Sequence, residues 1–342
     1  MKNLLAWLTI NHGCNLGCTW CYQRESVGSA KTMPFQLIER LVEFLARLGS
    51  KEIILIGGEP TLHPQFLDAV RCVKNNGIKP YVVSNSVRFA DRKFLAEAIA
   101  SGICAVTTSV KGSSRQEYIR ATGRDVFQRV GVAIENFERS GIDQQISVTV
   151  SGSTITNWTR MVEFLKQCGG RRFHFSFEKP TILSGGRISF DREMAPRTIA
   201  RFIQDEMYPS LLAAGITFRI ELMFPQCVLD AGFVQKVEKE GHAFGGCLLT
   251  NRDGVVFGPE GEVLPCNHFV TYPMGKYGVD FQTPEEFLAW RSEGDRGRFY
   301  QTTKLAPCQR CAECAQWPKC GAGCRLYWLD RGPAELLPII SR

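Results

Sequence analysis

The sequence predicts an α/β fold: a partial (β/α)6 barrel of parallel strands over residues 1–225, then a small cysteine-rich domain over 226–342. Three observations carry this expectation. Six strand-like runs alternate with helix-like runs, two of the strands have a polar face, and glycine, proline and cysteine rise after Pro225. The apolar, β-branched runs lie at 4–10, 52–56, 79–83, 105–110, 145–150 and 172–177. The clearest helix covers 33–48, with Ile38, Leu41, Val42, Leu45 and Leu48 on one stripe, Pro34 in its first turn and Gly49 as its cap. Further helices fit 64–76 before Gly77, 126–140 before Gly141 and 158–167 before Gly169. Strand–helix units in succession imply parallel strands joined by right-handed crossovers. The chain before Pro225 is too short for eight units, so an open barrel of six is expected. Beyond Pro225 no further βα alternation is expected.

The polar face appears where residues alternate. Ser147, Thr149 and Ser151 share one face of the fifth strand, and His174, Ser176 and Glu178 share one face of the sixth, opposite three phenylalanines. Helices should cover the phenylalanines and leave the polar set pointing into the barrel as a ligand cavity. An antiparallel edge strand with a wet face is the alternative.

Composition narrows the class. With 44% hydrophobic residues the chain can bury a large core, and 22% charged residues argue against long disorder. A net charge of +7 is modest for this length; it suits an acidic redox partner or an anionic substrate, and no nucleic-acid partner is expected. The apolar run at 4–10 has no small-residue cleavage site and leads straight into cysteines, so it reads as a first strand. No run approaches the roughly 18 apolar residues of a membrane span, so no membrane partner and a cytoplasmic location are expected. Fourteen cysteines in such a chain point to metal or redox chemistry rather than to disulfides.

Cys14, Cys18 and Cys21 form a C-x3-C-x2-C run directly after the first strand. Three thiolates on one loop can grip three corners of a [4Fe–4S] cube and leave the fourth iron open; zinc is the other metal such thiolates take. Gly57, Gly58, Glu59 and Pro60 (GGEP) follow the second strand. Together with the aromatic Tyr22, these motifs resemble the signature of the radical SAM superfamily over roughly residues 4 to 180. The resemblance implies a [4Fe–4S] cluster that binds S-adenosylmethionine (SAM), with the GGEP backbone holding its methionine amino end. It further implies reductive cleavage to a 5′-deoxyadenosyl radical, which abstracts hydrogen from a substrate carbon. Tyr22, Ser84, Asn85, Ser109 and Ser151 are candidate cofactor contacts, the last four at strand ends where barrel enzymes place their chemistry. For these four, ordinary turn formation is the competing reading.

A second array, Cys247-x13-Gly261-x4-Cys266 and then Cys311-x2-Cys314-x5-Cys320-x3-Cys324, resembles the SPASM extension of that superfamily. The resemblance implies auxiliary [4Fe–4S] clusters. Cys247, Cys266 and Cys324 would serve the first, with Cys227 as a candidate fourth ligand. Cys311, Cys314 and Cys320 would serve the second. The family's last cysteine falls about eighteen residues after Cys324, where this chain has Arg342, and Cys308 would replace it. Two auxiliary clusters are expected; a single one on Cys247, Cys266, Cys308 and Cys311, as in the shorter twitch extension, and a zinc knuckle remain alternatives. Cys72, Cys104 and Cys168 fall in helix or strand patterns and read as core.

His174 and Glu178 are the candidate catalytic residues. The SPASM resemblance implies a peptide or protein substrate and a crosslinking, epimerising or oxidising reaction, with a sugar or aminocyclitol enzyme as the alternative. An iron–sulfur electron carrier is the non-enzymatic alternative; GGEP speaks against it. A reductant such as flavodoxin or ferredoxin is implied. The first strand begins near residue 4, so no N-terminal leader-binding module is expected; either a separate leader-binding protein supplies that role or the substrate needs none.

Overall fold

The computed structural model describes residues 4–29, 31–168, 172–189, 194–245 and 254–330, with 191, 247, 249 and 336. The expected helix cap Gly169 lies outside the described residues.

The strands and helices follow the sequence pattern closely. In chain order they are β1 (Leu5–Asn11), α1 (Phe35–Arg47), β2 (Glu52–Gly57), α2 (Phe66–Asn75), β3 (Lys79–Ser84), α3 (Arg92–Ser101), β4 (Ala105–Val110), α4 (Arg115–Thr122), α5 (Phe127–Ser140) and β5 (Asp143–Val150). Then come α6 (Gly152–Thr156), α7 (Trp158–Gln167), β6 (Arg172–Phe177), the two-residue strands β7 (Thr181–Ile182) and β8 (Ile188–Ser189), α8 (Pro196–Phe202) and α9 (Tyr208–Ala213). Next come β9 (Thr217–Glu221), α10 (Ala231–Lys239), β10 (Ala243–Phe244), β11 (Gly254–Phe257), β12 (Glu262–Leu264) and β13 (Gly275–Lys276), and helices from Pro284–Ser292 to Tyr327–Asp330 follow. The fold is α/β with a mostly parallel sheet, and the described residues form no closed barrel.

The chain divides into two compact units. One comprises Met1–Ile146 with Asn251–Phe299, the other Ser147–Thr250 with Tyr300–Arg342. The division differs from the single boundary expected at Pro225, because residues from the last third return to the first strand.

In the first unit the strand order is β4-β3-β2-β1-β11-β12-β13. β1 pairs in parallel with β2 through Ala6↔Ile53 and Leu8↔Leu55. On its other side β1 pairs in parallel with β11 through Leu5↔Gly254 and Leu8↔Phe257. The expected stripe of α1 is buried: Ile38, Leu41, Val42 and Leu45 are inaccessible and Leu48 nearly so. Phe44 joins them at the centre of an aromatic cluster with Phe257, Tyr277, Phe281 and Phe287, ring centres 5.4–6.1 Å apart. Edge-to-face packing of this kind adds about 0.5–1.5 kcal/mol per pair beyond area burial.

In the second unit β6, β9 and β10 are neighbours, all parallel. The succession β9, α10, β10 means that the βα alternation does continue beyond Pro225, contrary to expectation. β10 has only two residues, too few for a period to show. The phenylalanines of β6 are buried, and Trp158 of α7 packs edge-on against Phe175 at 5.7 Å, as the alternation required. Ser147, Thr149, His174 and Ser176 are half-buried on their strands, as is Glu178 just after β6. Among the described residues, no helix is long and apolar enough to cross a membrane.

Candidate functional site

The C-x3-C-x2-C loop leaves β1 and is tied down by backbone. The Gly17 N–H donates to Thr122 O at 2.9 Å and the Thr19 N–H to Ala121 O at 3.0 Å, anchoring the loop on the end of α4. The GGEP segment closes on it from the end of β2. Gly58 N–H donates to Asn11 O at 2.9 Å, Glu59 N–H to Gly13 O at 2.8 Å, and Asn11 Nδ2 to Glu59 O at 3.0 Å. A Cβ at Gly57 would stand 2.2 Å from Asn11 Oδ1, and one at Gly58 would stand 2.3 Å from His12 O. Only glycine lets the two backbones meet.

Glu59 faces inward. It is 1% exposed, and its carboxylate accepts from Thr61 Oγ1 (2.7 Å), Thr61 N (3.2 Å), Ser84 Oγ (2.7 Å) and Asn85 N (2.8 Å). Burial pushes its pKa up, while these donors pull it back. Glu59 and Ser84 therefore position GGEP and the end of β3 through each other, and Pro60 opens the short turn that Glu59 caps. Each carboxylate oxygen receives one backbone N–H, which cannot rotate away. Glu59→Gln must set an NH2 against one of them, so the variant should lose about 1–3 kcal/mol, read as a lower melting temperature. A variant as stable as wild type would contradict this arrangement.

Asn85 reaches the loop itself. Its Nδ2 donates to Asn15 Oδ1 at 2.7 Å and lies 4.0 Å from Cys14 Sγ. Ser109 Oγ accepts from Lys111 Nζ at 2.5 Å, and that ammonium stands 6.0 Å from the centre of the Trp20 ring. Ser151 caps α6 through the Thr154 N–H at 3.4 Å, the turn-forming role weighed for it above. Tyr22 packs against His268 with ring centres 5.3 Å apart and tilted by 41°; burial, then the nearby Cys21, Cys266 and Cys14, push its phenol pKa up.

Sequence reasoning missed two residues here. Asn11 Oδ1 and Trp20 Nε1 are buried without a hydrogen-bond partner. Trp20 lies inside the cysteine motif and Asn11 is a polar residue ending an apolar strand, which were the available signals.

The donor set fits an iron–sulfur group. Burial pushes the Cys14 thiol up to about 12 and raises Cys21 as well, so both are thiols at neutral pH and must release protons to ligate. The donors are soft sulfur alone. The orphaned Asn11 oxygen beside Gly57 is an acceptor suited to an amino group.

In the second unit, Cys324 is buried, its pKa pushed up to about 11 by burial, with Cys247 nearby. The Lys179–Glu221 ion pair, 2.6 Å long and largely buried, stands close to Cys324 too. Cys227, Cys308, Cys311, Cys314 and Cys320 also belong to this unit, whereas Cys266 belongs to the first, near Tyr22. The Gly258–Gly261 turn forms a tight hairpin before Cys266, closed by Gly258 N–H to Glu262 O at 2.8 Å. Among the described residues, no three His, Cys, Asp or Glu side chains converge as on a single ion. A cube spreads its ligands over several irons.

Glu178 follows β6, with its N–H on Val150 O (3.0 Å) and its carbonyl accepting from Tyr327 OH (3.3 Å). His174 sits lower on the strand, 4.6 Å from the Phe244 ring. Burial, then Arg219 and Arg172, lower its pKa to about 4, so the imidazole is neutral at pH 7.

Comparison with known proteins agrees with this geometry. Residues 8–165 match the family model described as Radical SAM superfamily. A probable GTP 3′,8-cyclase of Pyrococcus abyssi is 33% identical over 131 residues, which span 37% of this chain and 41% of the cyclase. An AdoMet-dependent heme synthase of Methanosarcina barkeri is 25% identical over 78% of this chain and 76% of its own. Among solved structures, native anSMEcpe with bound AdoMet has the same fold, at a TM-score of 0.70 and 19% identity over 97% of this chain and 92% of that one. Streptococcus suis SuiB bound to the precursor peptide SuiA gives 0.69 at 14% identity, covering 98% and 74%. The cysteine loop seated on GGEP lies inside residues 8–165, the part of the chain that matches the radical SAM superfamily.

Proposed function

We propose that the protein reductively cleaves SAM and uses the radical to modify a peptide or protein substrate. The observation that carries the first half is the meeting of the Cys14, Cys18, Cys21 loop with the Gly57–Gly58 backbone, beside an acceptor that lacks a donor. When bound, the reduced cluster supplies the electron that releases a 5′-deoxyadenosyl radical from SAM. The chain's own residues bind and orient. The three thiolates would hold the cluster, Asn11 Oδ1 would be free to accept from the amino end of SAM, and Glu59 with Ser84 keeps GGEP in place. Lys111, paired with Ser109 and facing Trp20, supplies positive charge at the rim of β4.

The peptide half rests on whole-chain likeness. SuiB and anSMEcpe have both been solved with peptides, and their fold spans nearly the entire chain. The terminal cysteines then read as SPASM-like auxiliary [4Fe–4S] ligands. A small-molecule substrate is the second reading, favoured by the heme synthase, which aligns along most of both chains. The cyclase aligns over less than half its length and speaks only for the shared domain.

The test is anaerobic reconstitution with iron and sulfide, then dithionite and SAM. 5′-Deoxyadenosine should appear, and its absence would sink the reading. Glu178→Gln separates the substrate classes. A peptide spreads its binding over many backbone contacts, so turnover should fall more than affinity. A small molecule losing a charged hydrogen-bond partner should lose about 1.5–3 kcal/mol of binding.

A further inference from the structure

The second unit gathers five thiols, and one of them comes from far upstream. Cys308 precedes the short helix Gln309–Ala312, whose turn places Cys311 N–H on Cys308 O at 3.1 Å and Cys314 N–H on Cys311 O at 3.2 Å. Cys320 ends the next helix, Trp317–Cys320. The turn Gln226–Val228 folds onto these helices, and Gln226 N–H donates to Cys320 Sγ at 3.4 Å across 94 residues of sequence.

Electrostatics map the neighbours. Cys320 and Cys314 both act on Cys227, and Cys227 and Cys320 both act on Cys311. Such interactions fade with distance, so Cys227, on the turn whose Gln226 N–H meets Cys320 Sγ, lies within electrostatic reach of Cys311, Cys314 and Cys320. Cys308 is placed differently: its thiol hydrogen-bonds the Cys311 thiol directly. Ligands on separate corners of a cube stand apart, and two thiolates in contact would repel. Cys308 thus sits beside Cys311 on one turn, and Cys311 is the member of the pair near Cys227 and Cys320. Two cations flank the group, Arg310 near Cys227 and Arg325 near Cys311 and Cys320, where they offset the negative charge of a four-thiolate cluster.

We propose that Cys227 is the fourth ligand of a [4Fe–4S] cluster held by Cys311, Cys314 and Cys320, and that Cys308 is not a ligand. The proposal rests on reading the terminal array as an iron–sulfur centre, and it replaces Cys308 in the role the sequence suggested for it. Each ligating thiol loses its proton as its sulfur–iron bond forms.

The experiment labels thiols of the full chain anaerobically with iodoacetamide, before and after cluster loading, and maps them by mass spectrometry. Cys227, Cys311, Cys314 and Cys320 should be labelled in the apo protein and spared in the loaded one, while Cys308 labels equally in both. Cys227 labelled equally in both, or Cys308 spared only on loading, overturns the proposal. The second measurement is Cys227→Ser in a Cys14, Cys18, Cys21→Ala background, which removes the first cluster's signal. Loss of about four irons per chain, or an altered Mössbauer site, is expected. Unchanged iron and spectra overturn the proposal whatever the labelling shows. Neither readout involves SAM, so a protein that shields Cys227 but forms no 5′-deoxyadenosine fails only the proposed reaction.

Discussion

Replacing Cys14, Cys18 and Cys21 together by alanine should abolish 5′-deoxyadenosine formation and remove about four irons per chain, leaving the remaining iron in place. The three thiols are the sulfur donors of a loop that backbone bonds hold on α4 and β2 without them. All three are only partly buried, so their removal should cost the fold little, within about 1 kcal/mol. Loss of turnover with an unchanged melting curve separates chemistry from folding. A triple variant that cleaves SAM at the wild-type rate would place the chemistry elsewhere.

Gly58→Ala should be a strongly damaging single-methyl change in the first unit. Its Cβ would stand 2.3 Å from His12 O and 2.5 Å from Gly13 O, both main-chain atoms that no rotamer change can move. The end of β2 must withdraw, and the hydrogen bonds from Gly58 and Glu59 to β1 and its loop weaken with it. Overpacking plus two compromised bonds amounts to about 2–5 kcal/mol. Because Gly13 precedes Cys14, iron uptake at the first loop should fall as well. Gly131→Ala is the control: it lies inside α5 with nothing within 4 Å and should gain about 0.5–1 kcal/mol. Equal melting temperatures for Gly58→Ala and wild type would show that the two backbones are not confined as described.

Local pattern carried the barrel strands to within two residues. Ala105–Val110 and Arg172–Phe177 coincide with their apolar runs, and α1 buries the stripe read for it. Such runs are short-range information. The pairing of β11 with β1 is not, and no period within 254–257 says which strand it will join. The C-x3-C-x2-C and GGEP motifs located the site, but residue identity does not give side-chain direction. Glu59 turns inward to four donors, and Ser84 serves that carboxylate. Ser151 caps a helix, the commoner use of a serine at a strand end. Cys227 stood alone in sequence because its partners lie more than eighty residues away, and only the fold brings Gln226 against Cys320.

The pairing of Leu5 with Gly254 also sets a timetable for a ribosome-bound chain. At about 5–20 residues per second, the partner of the first strand leaves the ribosome roughly 10–50 s after that strand does. Until then one edge of β1 offers unpaired N–H and C=O groups beside apolar side chains, the kind of surface that recruits foreign strands. The N-terminal unit thus cannot finish folding as it emerges. Its early survival depends on dilution or on a chaperone that masks one strand, and slower translation through 12–253 should lower the soluble yield.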